Sequence, residues 1–399
     1  MRILQLCHKP PYPSRDGGCL AMAAITEGLL DDGHDVKVLC MSTHKHPFEK
    51  EKIPSQLLTS TRMESVFVDV RLKPFDALWN LISDRSYNLA RFNSKDFDRR
   101  LFSILSKEQF DIIHLESIFC TPYIDTIRKH SKAKVVLRAH NVEHVIWQRL
   151  ARQTDNPLKR MYLQRLADQL KKEELELLQK MDGIVTITED DLESIGRMGV
   201  NVPMQTVAMG LNVASIEVQP AAEGPLELYH LASMDWQPNL DGVGFFIQEI
   251  WPKLHRDVPE LSVHFAGRNM PQRFLSQHQP PLHVMGEVPS VTAFALNRQV
   301  MVVPLLSGGG MRIKIVEAMA LGKVVLSTTI GAEGIPYTDG TDLLIADTPA
   351  DFIAKLKWLR NHPEQIERIG TAARQLAERH FDLRTVTERL VDFYRAVGV

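Results

Sequence analysis

The chain has 399 residues, 44% of them apolar and 24% charged, with a formal net charge of -2. That length predicts two or three domains, and the near-neutral balance excludes a general nucleic-acid binder, which needs a strongly basic face. No apolar run approaches the roughly 18 residues needed to span a bilayer, so any membrane contact is expected to be peripheral.

The chain opens on MRILQLC, a strand pattern with no basic-then-apolar leader before it. Cys7, Cys19, Cys40 and Cys120 all fall in the first third and show no paired metal spacing, so they read as buried free thiols in a cytoplasmic setting. Short apolar runs then alternate with longer amphipathic segments, the pattern of parallel sheets covered by helices. The first half places strands near 3–7, 36–41, 66–70, 112–115, 135–138, 184–188 and 205–208. Gly17 and Gly18 follow the first strand after a Pro-rich loop; they either bring backbone close to a ligand or simply make the turn into a helix ending near Asp31.

Asp96, Phe97 and Asp98 form a D-x-D, a pattern that some sugar-nucleotide enzymes use to hold a divalent metal. Ser94 precedes it, and acids are favoured at a helix start, so the reading is structural. His140 and Asn141 end the strand KVVLRA. Residues 140–144 also spell H-x-x-E-H, but zinc hydrolysis needs both histidines on one helix face; with His140 ending a strand and no third ligand following, no metal is expected. Asn156 and Pro157 start a long charged helix over 158–181, and Thr188 with Glu189 closes a further strand. Open sheets bind ligands beyond the carboxyl ends of their strands, and these polar strand ends are expected to meet there.

Residues 213–225 (VASIEVQPAAEGP) lose periodicity and gain Pro, Ala and Gly, which marks a linker. The second half places strands near 227–231, 262–265, 283–285, 300–304, 324–327 and 343–345. The expectation is an α/β protein of two Rossmann-like domains, residues 1–212 and 213–382, whose parallel sheets face an interdomain cleft. Residues 300–322 read VMVVPLLSGGGMRIKIVEAMALG: a strand, three glycines, and a helix opening with two cations. Gly308, Gly309 and Gly310 permit positive φ and let backbone N–H groups converge on an anion. A helix N-terminus favours acids, so Arg312 and Lys314 are misplaced unless a phosphate is bound. Glu317 shares a helix face with Lys314 and can accept ribose hydroxyls; the alternative is a glycine turn before an ordinary surface helix on which the two form a weak ion pair.

These residues resemble the retaining glycosyltransferases of family four, which have the GT-B architecture. The resemblance rests on Gly17-Gly18, His140-Asn141, SMDWQPNLDG at 233–242, AGRN at 266–269, and above all GGGMRIKIVEAMALGKVVLST at 308–328. It is nearest to bacterial sugar transferases of polysaccharide assembly. The resemblance implies a nucleotide-sugar donor, a UDP-sugar first, on the C-terminal domain, and a glycan or lipid-linked acceptor on the N-terminal domain, with no cofactor or metal. Arg312 and Lys314 would neutralise the diphosphate and Glu317 would hold the ribose. Backbone near Gly286 would meet the base, His140 would approach the donor sugar, and Gly17 and Gly18 would lie beside the phosphates. Asn141, Ser233, Asn239, the three glycines and Met311 complete the donor set, and helix 383–399 would cross back to the first domain. A monomer or weak dimer is expected.

Two positions depart from the family pattern. Gly309 stands where relatives carry the first of two glutamates eight residues apart, so a contact to donor-sugar hydroxyls is missing. Ser233, Asp235 and Asn239 stand where many relatives place an Arg and Lys pair. A nucleotide-sugar epimerase on the same architecture, or a non-catalytic nucleotide-sugar binder, is the alternative. The absence of G-x-G-x-x-G after either first strand argues against an oxidoreductase. The acceptor groove is expected in 67–100, where Trp79, Tyr87 and Phe92 mix with Arg71, Arg85 and Arg91; the mixture either binds an anionic or lipid-linked glycan or, the preferred reading, is a solvated face over buried aromatics.

Overall fold

A computed structural model describes residues 1–71, 86–218 and 224–399; Trp79, Arg85 and part of the expected linker lie outside the described residues. Two compact units divide the chain. The first comprises Met1–Gly210 with Leu383–Val399, and the second Leu211–Asp382.

The first unit is built on β1 (Arg2–Cys7), β2 (Asp35–Ser42), β3 (Glu64–Phe67), β4 (Ile112–Glu116), β5 (Lys134–Ala139), β6 (Gly183–Thr186) and β7 (Met204–Thr206). Every pairing is parallel, in the order β3-β2-β1-β4-β5-β6-β7. The central strands are buried almost end to end, because helices cover both faces of a parallel sheet. The strand expected at 66–70 forms two residues earlier, where Glu64 pairs in register with Leu39 and its carboxylate reaches Lys37 and Arg100. The closing helix Leu383–Ala396 belongs to this unit, burying Val386, Leu390, Phe393 and Tyr394 in one cluster with Met22, Ile25 and Leu29.

The second unit has β8 (Glu227–Leu231), β9 (Ser262–Ala266), β10 (Leu282–Val284), β11 (Val300–Val303), β12 (Val324–Ser327) and β13 (Leu344–Ile345). They pair in parallel in the order β10-β9-β8-β11-β12-β13. In each sheet the connections run to one side and then to the other. The reversal falls between β1 and β4 in the first unit and between β8 and β11 in the second, and loops leaving such neighbouring strands diverge to open a ligand crevice.

Side-chain caps set several helix starts. Asn156 accepts from the amides of Leu158 and Lys159 at the start of Pro157–Leu178. Ser94 accepts from Phe97 N, so Asp96 and Asp98 fill a first turn, and Asp98 accepts from Thr126 at 2.6 Å. The D-x-D is therefore a helix start.

Candidate functional site: a glycine turn and a buried histidine–carboxylate cluster

In the second unit the loops after β8 and β11 meet. Trp236 follows β8, and its ring lies 5.1 Å from the Arg312 guanidinium. Asn239, in the helix Gln237–Phe245, donates its amide to the Ser233 carbonyl at 2.7 Å. Its Oδ1 therefore faces Lys314, whose Nζ lies 3.1 Å away. Ser233 donates to Asp235 at 3.0 Å, and Asn269 of the AGRN turn bonds the other Asp235 oxygen at 2.6 Å. Gly267 must be glycine here, since a Cβ would fall 1.7 Å from the Ala232 carbonyl oxygen.

The three glycines are not alike. Gly308 and Gly310 adopt positive φ, 125° and 80°, while Gly309 does not, so two of the three use the freedom that glycine permits. A Cβ at Gly308 would approach Trp236 and Arg312 within 2.9 Å. Arg312 is buried and caps the start of Ile313–Ala320, so it is not a helical residue as expected; its guanidinium folds back to donate to the carbonyls of Gly309 (2.6 Å) and Gly310. With these carbonyls turned to Arg312, the amides of Gly308, Gly309, Gly310 and Met311 donate to no group among the described residues.

Lys314 and Glu317 lie half-buried on that helix, and they form no ion pair with one another among the described residues. Burial, then the Arg312 charge, lowers the Lys314 pKa to about 7. Burial raises the Glu317 pKa. His230 on β8 is wholly buried and donates Nδ1 to the Val302 carbonyl at 2.7 Å; burial and then Lys314 hold it well below the ordinary histidine value. Gly286 follows β10, and its carbonyl accepts from Gly267 N at 3.0 Å.

In the first unit, Gly17 and Gly18 are the first residues of the helix Gly17–Asp31 and not a loop before it. Asp16 caps that helix by accepting from Cys19 N at 3.0 Å, and it pairs with Lys9 at 2.7 Å and His46 at 3.1 Å. A Cβ on Gly18 would come within 2.8 Å of Lys9 Nζ. His140 follows β5 with its Nε2 2.7 Å from Glu116 Oε2. Glu116 ends β4 with no exposure at all. Its other carboxylate oxygen accepts from Gln5 at 2.9 Å, Arg138 Nη1 lies 3.4 Å from Oε2, and His8 Nδ1 donates to its backbone carbonyl at 2.8 Å.

Glu116 and His8 were not singled out from the sequence. A lone carboxylate closing the strand IIHLE was the available signal, and only the sheet order brings it beside His140. Asn141 stands between β5 and the helix Glu143–Arg152. His144 belongs to a different cluster, with Nδ1 2.7 Å from Glu174, so the two histidines of the H-x-x-E-H turn to different carboxylates. Thr188 caps Glu189–Arg197 by accepting from Asp191 N at 3.1 Å. Of the expected acceptor residues, Tyr87 and Phe92 are buried, Arg71 pairs with Asp69 at 2.8 Å, and Arg91 lies over the Phe92 ring.

Residues 21–215 match the family model described as Glycosyltransferase Family 4, and residues 226–362 the one described as Glycosyl transferases group 1. A Klebsiella pneumoniae protein described as an uncharacterized 44.6 kDa protein in the cps region is 21% identical over 384 residues, covering 92% of each chain. Among solved structures, sucrose-phosphate synthase of Thermosynechococcus elongatus superposes with a TM-score of 0.70 at 14% identity, over 100% of this chain and 99% of its own. Anabaena HepE in complex with UDP and glucose superposes with a TM-score of 0.65 at 12% identity, over 99% of this chain and 100% of its own. No helix among the described residues is long and apolar enough to cross a membrane. Two glycosyltransferase domains in tandem, each on its own Rossmann-like unit, make this chain a glycosyltransferase of the GT-B architecture.

Proposed function

We propose that the protein moves a hexose-type sugar from a UDP-sugar to a glycan or lipid-linked acceptor of polysaccharide assembly, with retention of the anomeric configuration. One observation carries the donor half of this reading. Lys314 is a half-buried cation held by a neutral amide, with no carboxylate partner among the described residues, on the helix that follows glycine amides with no acceptor among those residues. Such a site lacks an anion, and a diphosphate supplies one. The presence of UDP and glucose in the HepE structure supports UDP as the nucleotide.

As the bond from sugar to diphosphate breaks, negative charge grows on the leaving phosphate. Lys314 and the glycine amides are fixed before the reaction, so they stabilise that charge more than the ground state. Among the described residues no carboxylate stands out as a covalent nucleophile; we favour front-face substitution, in which the leaving phosphate takes the proton of the acceptor hydroxyl. Lys314 and the glycine amides supply charge compensation that a divalent metal would otherwise give, so transfer is expected to persist in EDTA. His140 is assigned to a hydroxyl of the sugar being transferred, and Glu317 to the ribose.

Calorimetry with UDP tests the donor site. Lys314→Ala should weaken binding severalfold or more in a protein that melts normally, and unchanged affinity would overturn the assignment. Gly309 in place of a glutamate favours a second reading, a protein that binds nucleotide sugars without turning them over. UDP release from donor on addition of a glycan acceptor separates the two.

A further inference from the structure

Glu116 and Arg138 form an ion pair in which both side chains have no exposure. A buried pair of this kind is weak evidence for stability, since well-packed apolar residues of similar volume often serve as well or better. The carboxylate calls for a role other than holding the sheet together, and its position supplies one. It ends β4, beside the reversal of strand order, and it reaches across to the residue that follows the neighbouring strand.

Three donors bond the carboxylate, and His114 Nε2 lies close to it without a hydrogen bond. Gln5 Nε2 lies 2.9 Å and His114 Nε2 3.2 Å from Oε1; His140 Nε2 lies 2.7 Å and Arg138 Nη1 3.4 Å from Oε2. Gln5 is itself fixed by accepting from Thr26 at 2.7 Å, and His114 by Tyr394 of the closing helix, whose hydroxyl is 2.7 Å from Nδ1. Burial alone would raise the Glu116 pKa, but Arg138, then His114 and His140, hold it well below the usual carboxylate range. An ionised carboxylate can only accept, so the shared proton sits on His140 Nε2. Burial lowers the His140 pKa against the pull of Glu116, which leaves the ring neutral and Nδ1 with a lone pair. That nitrogen has no partner among the described residues, and the side chain is 10% exposed.

We infer that Glu116 is the positioning residue that locks His140 as its Nε2–H tautomer and so presents Nδ1 as a fixed hydrogen-bond acceptor for a sugar hydroxyl. The inference rests on the glycosyl-transfer reading of His140. The tautomer of a histidine is set by the bond its other nitrogen makes, and a wrongly protonated ring would meet a hydroxyl as donor where an acceptor is required. Glu116→Gln keeps the shape but can turn either its carbonyl or its amide N–H to Nε2, so the Nε2–H tautomer is no longer enforced.

The test combines a spectrum with a double-mutant cycle. Long-range ¹H–¹⁵N correlation, with His140 assigned by comparison with His140→Ala, should report the Nε2–H form in the native protein and the Nδ1–H form, or a mixture, in Glu116→Gln. Turnover of UDP-glucose, read as UDP release, should fall about 10- to 100-fold in Glu116→Gln while UDP affinity stays unchanged. In a His140→Ala background the same substitution should cost nothing further. A native spectrum with the proton on Nδ1, or an equal loss on Glu116→Gln in both backgrounds, would overturn the inference. A protein with the Nε2–H form that neither binds UDP nor turns over UDP-glucose would refute the functional reading alone, because the tautomer is read without substrate.

Discussion

The two units bury charge at the carboxyl ends of their sheets in opposite ways. In the first, Glu116 is enclosed by Arg138, His114, His140 and Gln5, so its charge is answered within the fold. In the second, Lys314 is answered only by the neutral oxygen of Asn239 among the described residues. A compensated charge orients its neighbours and needs nothing else, whereas an uncompensated one raises the free energy of the empty site and lowers it when an anion arrives. The first unit is built to aim a side chain and the second to receive a ligand.

Removing one charge from each unit should therefore give opposite phenotypes. Glu116→Ala leaves Arg138 buried and unanswered, and is expected to destabilise the protein by about 3–5 kcal/mol in chemical denaturation. Replacing both partners together, Glu116→Leu with Arg138→Met, should recover most of that loss. Lys314→Ala removes a cation that costs stability in the empty protein, so the denaturation midpoint should be unchanged or higher. Its transfer rate should still fall by about 10²- to 10³-fold. A Lys314→Ala protein that unfolds as readily as Glu116→Ala would erase the contrast.

A smaller effect is expected at Glu317. Its half-buried carboxylate has no partner among the described residues and a pKa raised by burial, so Glu317→Ala should lower affinity for UDP more than for the 2′-deoxy analogue. Loss of a hydroxyl contact of this kind is worth about 1–3 kcal/mol. Equal affinities before and after the substitution would remove the ribose role.

The smallest signal is a proton. The empty site holds the Lys314 pKa at about 7, and a bound diphosphate favours the charged form, which raises it. Above pH 7 the empty site is mostly neutral and must take up a proton on binding, so affinity should fall as pH rises from 7. At pH 8 about one proton should be taken up per UDP, read by calorimetry in buffers of different ionisation enthalpy. Lys314→Met should abolish the uptake; its persistence would place the proton elsewhere.

Much of the architecture was legible in the chain. The thirteen strands among the described residues occur where apolar runs alternate with amphipathic segments, since a strand covered on both faces has no solvent side to place polar residues on. The edge strand β3 was displaced because its register is set by pairing with Leu39 to Ser42 and not by its own composition. Helix starts at Ser94 and Asn156 were legible because capping is local, whereas Thr188, read as a strand end facing a ligand, caps the helix after it. At the glycine turn the sequence marked the right stretch but not the conformation: two of three glycines use positive φ, and Arg312 is a cap folded onto the carbonyls behind it.

By itself the sequence determined the order of strands and helices, the caps, and the pairing of glycines with misplaced cations, because each depends on neighbours a few residues away. Only the tertiary structure decided which charges are answered. Glu116 meets His140 across 24 residues, and Lys314 meets Asn239 across 75, because strand order sets which chain ends are adjacent. The protonation of those groups follows from burial and from those distant partners, which no local window of sequence contains.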